Sequence, residues 1–189
     1  MISFEEYIRH FAEMPDVEVK ALLSLFEPKK ITKNEYYAVE GKTAKSLAFL
    51  EKGLMRAFYK NDEGEEFNKI FFENPSIVGG YTSLITKEPG CINIQCLTDC
   101  EIIEANFEDI VGLYEENRSI ETLNRKIAEN FFVEKERREM YLVMYNATRR
   151  YEQFRIDFPN LENSLAQYHI ASYLGITPVQ LSRIRAKKD

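Results

Sequence analysis

The chain has 189 residues, of which 44% are hydrophobic, and it includes 13 Phe and 11 Tyr. It can therefore bury a core and is not expected to be disordered. No apolar stretch reaches the ~18 residues of a membrane span, and the N-terminus lacks the basic and apolar regions of a signal peptide. These features predict a cytoplasmic protein with no membrane partner.

The net charge of -6 is unevenly distributed along the chain. Residues 149–189 contain seven basic and four acidic residues, a balance of +3, and residues 1–148 contain the other 18 basic and 27 acidic residues, a balance of -9. A basic end on an acidic body is typical of a protein that docks on nucleic acid with one end only.

Three cysteines, Cys91, Cys96 and Cys100, lie close together in the sequence. Iron–sulfur and zinc sites usually need four ligands, and the two histidines, His10 and His169, lie far away. A free cysteine in β-rich sequence behaves as a small hydrophobe, and an odd number fits a reducing compartment. We expect a packing role, no metal and no cofactor here, with a redox role as the alternative.

The first part of the chain predicts helices followed by strands. Residues 1–27 carry two helix starts, Ser3 with Glu6 and Asp16 after Pro15, and Pro28 stops the second helix.

Residues 29–105 then predict short strands. The runs 54–59 and 67–72 flank a turn signal at 61–64 and form a hairpin, and the runs 91–97 and 101–105 predict a second strand pair. A break at Gly79-Gly80 precedes one predicted helical turn. Such strands indicate a small barrel or jelly roll.

From Asn106 onward the apolar residues follow a helical or coiled-coil period. Neither Gly nor Pro occurs between Tyr114 and Arg155, so a helix of about thirty residues, ~45 Å long, is predicted. We assign residues 107–146 to a helix that pairs with its twin in a homodimer. The apolar positions are Ile110, Leu113, Ile120, Leu123, Ile127, Phe131, Tyr141 and Tyr145.

The segment 164–188 predicts two short helices joined by a tight turn. Ser164 with Gln167 suits the first helix start, Gly175 its left-handed stop, and Thr177 with Pro178 the second start. Apolar residues on both helices would share one core, which is the spacing of a helix-turn-helix. The predicted core residues are Ile170, Ala171, Leu174, Ile176, Leu181 and Ile184.

The second helix of such a motif, residues 178–188 here, enters the DNA major groove with its N-terminal part. Gln180 and Arg183 are candidates for bidentate contacts to adenine and guanine, and Val179 lies on the same outer face. Gln180 has an equally strong alternative role, because Thr177-x-x-Gln180 is itself a capping box. Phosphate contacts are predicted for Thr177, Ser182, Arg185 and Lys187.

Here the sequence resembles the Crp/Fnr superfamily of bacterial transcription regulators. The resemblance rests on residues 50–56, on 62–66, on the long helix after Asn106, and most strongly on 170–177 with 181–185. It implies an α+β chain with a cyclic-nucleotide-binding-like β-roll over residues 1–146, including the dimerisation helix. It also implies a winged-helix DNA-binding domain in which Arg183 reads a guanine; here that domain would span 147–189, and we expect no clear wing.

The resemblance is incomplete at the ligand cassette. Cyclic-AMP-binding members carry Gly-Glu-Leu, whose glutamate holds the ribose, and later an arginine that holds the cyclic phosphate. This sequence has Gly79-Gly80-Tyr81 at the first place and no arginine around residues 89–92. A buried phosphate would lack a charge-assisted bond of ~1.5–3 kcal/mol. We therefore predict no response to cyclic AMP, and leave open whether residues Gly79, Gly80, Tyr81, Thr82 and Ser83 bind another effector.

The sequence analysis thus predicts a homodimeric, double-stranded-DNA-binding regulator that reads a near-palindromic site. The alternative is a ligand-binding signalling module whose helix-turn-helix serves protein interaction. No catalytic pair, triad or P-loop pattern is found in the sequence, so an enzyme is not expected.

Overall fold

The structure is a computed structural model that describes residues 1–187. It has eight helices and eight strands among those residues. In chain order they are α1 (Phe4–Phe11), α2 (Asp16–Leu23), β1 (Glu27–Ile31), β2 (Tyr36–Ala38), β3 (Ser46–Lys52), β4 (Met55–Lys60), β5 (Glu66–Phe72), β6 (Ser76–Val78), α3 (Tyr81–Thr86), β7 (Asn93–Cys96), β8 (Cys100–Asn106), α4 (Phe107–Gly112), α5 (Arg118–Met144), α6 (Ala147–Asp157), α7 (Gln167–Leu174) and α8 (Pro178–Ala186). The predicted α+β class is confirmed.

The described chain divides into two compact units. The first contains residues 1–59 and 70–129, and the second contains residues 60–69 together with the residues from 130 onward. The tip of the β4–β5 hairpin thus belongs to the unit that contains α6, α7 and α8. The division at residue 146 that we predicted for the domains stays a prediction.

The strands form two four-stranded sheets, with strand orders β1-β8-β3-β6 and β2-β7-β4-β5. Side chains that alternate along these strands meet in one apolar core, as in a jelly roll. Fully buried members of that core include Ala48, Leu50, Met55, Ile94 and Ile102. The predicted β4–β5 hairpin is confirmed, because these strands are neighbours in the second sheet.

The predicted pairing of the strands around Thr98-Asp99 is wrong, because β7 and β8 lie in different sheets. The corner between β7 and β8 packs on the corner between β3 and β4. The Leu97 N–H donates to the Leu54 carbonyl (2.8 Å), and the Leu54 N–H donates to the Thr98 hydroxyl (2.9 Å). The β3–β4 and β7–β8 connections therefore each lead from one sheet to the other. A local sequence pattern does not distinguish such a connection from a hairpin turn.

Local sequence signals place most helix ends correctly. Ser3 and Glu6 form the predicted capping box, Asn106 caps α4, and Gly175 ends α7 with a left-handed φ of 65°. The predicted Ser164 cap is wrong: α7 begins at Gln167, and the Ser164 hydroxyl instead donates to the Asn160 carbonyl (2.8 Å).

The long helix is confirmed, but it begins later than predicted. α4 ends at Gly112, a turn follows, and α5 then runs for 27 residues from Arg118 to Met144. Ile120, Leu123 and Ile127 are buried in the first unit. Together with Ile110 of α4, four of the eight predicted stripe residues therefore belong to this chain's own core. No described helix is both long and apolar enough to cross a bilayer.

Candidate nucleic-acid interface and ligand cassette

The helix-turn-helix is built on a closed apolar core in the second unit. Ile170, Leu174 and Leu181 are fully buried, so α7 and α8 share one set of contacts. The turn between them is tight: Gly175 takes the left-handed conformation, and the Ile176 N–H donates to the Ala171 carbonyl (3.0 Å). A Cβ at this φ would be strained, so glycine suits the position.

The start of α8 is fixed by a reciprocal capping box. The Gln180 N–H donates to the Thr177 hydroxyl (3.2 Å), and the Thr177 N–H donates to Gln180 Oε1 (3.0 Å). Pro178 occupies the first helical position. Since Oε1 of Gln180 is engaged, a bidentate adenine contact would require the box to open. The capping role of Gln180 is thus present, and its base contact stays a prediction.

The outer face of α8 carries the predicted reading residues. Thr177, Val179, Gln180, Ser182, Arg183 and Lys187 are all exposed. Arg183 has no hydrogen-bond or ion-pair partner among the described residues, so its guanidinium is available to a ligand. The predicted helix end at Lys188 lies outside the described residues.

Arg185 differs from the other predicted contact residues. It is half-buried, its Nε donates to the Tyr151 hydroxyl (3.2 Å), and its NH2 group donates to the Glu162 carbonyl (3.0 Å). The Tyr151 hydroxyl in turn bonds the Glu162 carboxylate, which lowers the pKa of Glu162. Arg185 therefore ties α8 to α6 and to the segment before α7, and its phosphate contact stays a prediction.

A second arginine supports the motif from α5. The Arg138 guanidinium lies 3.7 Å from the centre of the Tyr173 ring and donates to the Tyr173 carbonyl. Burial lowers the pKa of Arg138 and raises the pKa of Tyr173 to about 12. This cation–π contact anchors α7, and the sequence analysis did not identify it because the two residues are far apart in the chain.

The candidate ligand cassette follows β6 in the first unit. Ser83 is only 2% exposed, and its hydroxyl donates to the Glu88 carbonyl (2.5 Å) and accepts from the Ala44 N–H (3.0 Å). Gly90 is bonded on both sides to the loop at 41–42, by its N–H (3.0 Å) and its carbonyl (2.7 Å). The cassette is thus closed by its own hydrogen bonds, with the Ser83 hydroxyl already used.

The other predicted cassette residues do not converge on one polar cavity. A Cβ on Gly79 would lie 3.0 Å from Leu47 Cδ1, Gly80 faces Ala44, and Thr82 is exposed. The Tyr81 ring packs edge-on against Phe107 (6.2 Å between centroids). Effector binding by Gly79–Ser83 stays a prediction.

Two of the three cysteines are buried in the β-roll core, as the packing interpretation expects. Cys96 and Cys100 are buried and reduced, and Cys91 is exposed. A hydrogen bond between the two thiols lowers the pKa of Cys100 and raises that of Cys96. Among residues 1–187 no cluster of three or more potential ligands is arranged to hold a metal ion.

Comparison with known proteins identifies the fold. Residues 28–117 match the family model of the cyclic nucleotide-binding domain. No curated protein sequence is significantly similar to this chain.

Several solved structures are similar over most of their length. The c-di-GMP-responsive regulator CLP of Xanthomonas campestris is 14% identical with a TM-score of 0.71, covering 92% of this chain and 91% of that one. FixK2 of Bradyrhizobium japonicum is 15% identical, with a TM-score of 0.72 and coverage of 86% and 83%. The catabolite activator protein of Thermus thermophilus is 17% identical, with a TM-score of 0.59 and coverage of 95% and 85%. Residues 28–117 are therefore similar to a cyclic nucleotide-binding domain, and the chain has the fold of the Crp/Fnr-family transcription regulators.

Proposed function

We propose that the protein is a sequence-specific, homodimeric DNA-binding regulator that does not respond to cyclic AMP. The observation that supports it most is the outer face of α8, where Val179, Gln180 and Arg183 are exposed. An exposed arginine on a recognition helix is suited to bond guanine O6 and N7. Two such helices would occupy successive major grooves about 34 Å apart.

The dimer is supported by an unpartnered apolar face on the second half of α5. Its members are Phe132 (62% exposed), Val133, Met140, Val143 (77% exposed) and Met144. Their spacing places them within about 120° of the helix circumference, an arc that also includes the exposed Glu136. An exposed apolar face on one side of a long helix is typical of a protein–protein interface, and a second copy of α5 satisfies it by knobs-into-holes packing.

Independence from cyclic AMP is supported by the cassette. Ser83 and Gly90 are committed to internal hydrogen bonds, and no basic side chain occupies residues 89–92. A cyclic phosphate would enter without a charged partner, which is unfavourable for a buried anion.

The mass of the purified protein by sedimentation equilibrium, with and without a DNA duplex, tests this proposal. We expect two chains in both cases. Val143→Glu should yield one chain, because it replaces the most exposed apolar side chain of this face with a charged one, and Lys135→Glu, an exposed position on another face, should leave the dimer intact. A single chain for the wild-type protein under both conditions would contradict the proposal.

The alternative function is a signalling module whose helix-turn-helix binds protein. The salt dependence of DNA affinity distinguishes it from the proposed function. Phosphate contacts release counterions, so DNA affinity should fall steeply as salt rises. Affinity that does not depend on salt would favour the alternative.

A further inference from the structure

The tip of the β4–β5 hairpin, residues 60–69, is bonded to the first helix of the motif within the second unit. The Ser172 hydroxyl donates to the Glu66 carbonyl (2.6 Å) and accepts from the Asn68 backbone N–H (2.9 Å). One side chain on α7 thus satisfies both a carbonyl and an N–H on the edge of β5, as a neighbouring strand would.

Asn68 completes this contact with its side chain. Its Nδ2 donates to the His169 carbonyl (2.9 Å) and lies 3.4 Å from His169 Nδ1, and both residues are only 4% exposed. Buried polar groups are costly to leave unpaired, so these bonds hold the hairpin on α7 in one register. We refer to Glu66, Asn68, His169 and Ser172 as the latch.

The latched hairpin is acidic. It contains four carboxylates and two lysines, and Asp62 and Glu63 at its turn are exposed. The Lys60 ammonium lies 3.8 Å from the Glu66 carboxylate, measured from Nζ to Oε1. The latch therefore fixes a negatively charged hairpin to the first helix of a motif whose proposed ligand is a polyanion. Like charges repel over a Debye length of about 8–10 Å at moderate salt.

We propose that the latched hairpin lowers the affinity of the helix-turn-helix for DNA, and that its release raises that affinity. This inference rests on the proposed function. The latch acts on α8 because α7 and α8 share one core. Strand β5 continues beyond Lys69 to Phe72 in the β2-β7-β4-β5 sheet, so a shift of that strand reaches the latch through the chain itself.

Two variants of the full-length protein test the latch. Ser172→Ala removes both hydroxyl bonds, and Asp62→Asn/Glu63→Gln removes two charges while leaving the latch bonds in place. Ser164→Ala is the matched control, because that hydroxyl donates to the Asn160 carbonyl four residues earlier. The readouts are amide hydrogen exchange of segments 60–69 and 167–174, and anisotropy of a labelled mixed-sequence duplex of about 30 base pairs, long enough for two half-sites.

We expect Ser172→Ala to accelerate exchange in both segments and to strengthen DNA binding about fivefold at ~50 mM salt, with a smaller gain at ~200 mM. The charge variant should strengthen binding similarly with unchanged exchange, and Ser164→Ala should change neither. Unchanged exchange in Ser172→Ala, or DNA binding that is equal or weaker in both variants, would overturn the inference. If amide hydrogen exchange responds as expected but neither the wild-type protein nor any variant binds DNA, the proposed function is contradicted instead.

Discussion

Thr177 and Gln180 bond each other across the first turn of α8, each backbone N–H donating to the other's side chain. This pair fixes the start of the helix that carries the reading residues. We predict that Thr177→Ala lowers the free energy of unfolding by about 1 kcal/mol, because one helix N–H loses its acceptor. Urea denaturation measures the change. Thr177→Ser, which keeps the hydroxyl, should lose much less, and equal losses would argue against the capping role.

Arg183 and Arg185 are two residues apart on α8, and their substitution should affect different properties, DNA affinity for Arg183 and thermal stability for Arg185. Arg183→Ala should cost about 1–3 kcal/mol in binding to a specific site and relax the preference at one base pair, with no change in thermal stability. Arg185→Ala should lower the melting temperature, because the Tyr151 hydroxyl and the Glu162 carbonyl lose their donor. Competition binding and thermal melts of both variants check the pair. An equal loss on all DNA sequences for Arg183→Ala would mean that it contacts phosphate only.

Gly53 forms the corner between the two sheets and leaves no room for a side chain. Its φ is 107°, and an added Cβ would lie 2.6 Å from both the Asp99 carbonyl oxygen and the Cys100 sulfur. Gly41 also has a positive φ of 78°, but nothing lies within 4 Å of its Cβ position. We predict that Gly53→Ala costs about 1–3 kcal/mol more than Gly41→Ala, because only the former adds a clash to the backbone strain. Chemical denaturation of both variants measures the difference.

The buried Tyr173 predicts a loss of stability in alkali. Burial raises its pKa from 10.0 to about 12. A raised pKa means that the folded state holds the proton more tightly, so this stability is complete below pH 10 and is lost as the pH rises toward 12. Across that range the wild-type protein should lose about 1–3 kcal/mol more than Tyr173→Phe, which has no proton to lose. Unfolding curves at several alkaline pH values decide this, and identical pH profiles would contradict it.

The sequence predicted the elements that depend on local signals. Capping residues, the left-handed Gly175 and the helical period of α5 are read from neighbouring residues. Four of the six predicted core residues of the helix-turn-helix are buried, and Ile176 and Ile184 are half-buried. The corner at Gly53 and the position of β8 depend on pairing with distant residues, so a local pattern assigned β7 and β8 to one sheet. The same reason explains Ser172 and Asn68, which are 104 residues apart and whose bond no sequence spacing indicates. Arg185 has the residue type of a phosphate contact, yet its partners are Tyr151 and Glu162 within the chain.

The most direct test of DNA reading is the selection of genomic fragments by the purified full-length protein, at two salt concentrations and without added nucleotide. We predict enrichment of an inverted repeat whose half-sites are about one helical turn apart, with the same sequence recovered at both salt concentrations. Recovery of sequence-unrelated fragments that disappear at the higher salt concentration would contradict sequence-specific reading by α8 in the absence of an effector.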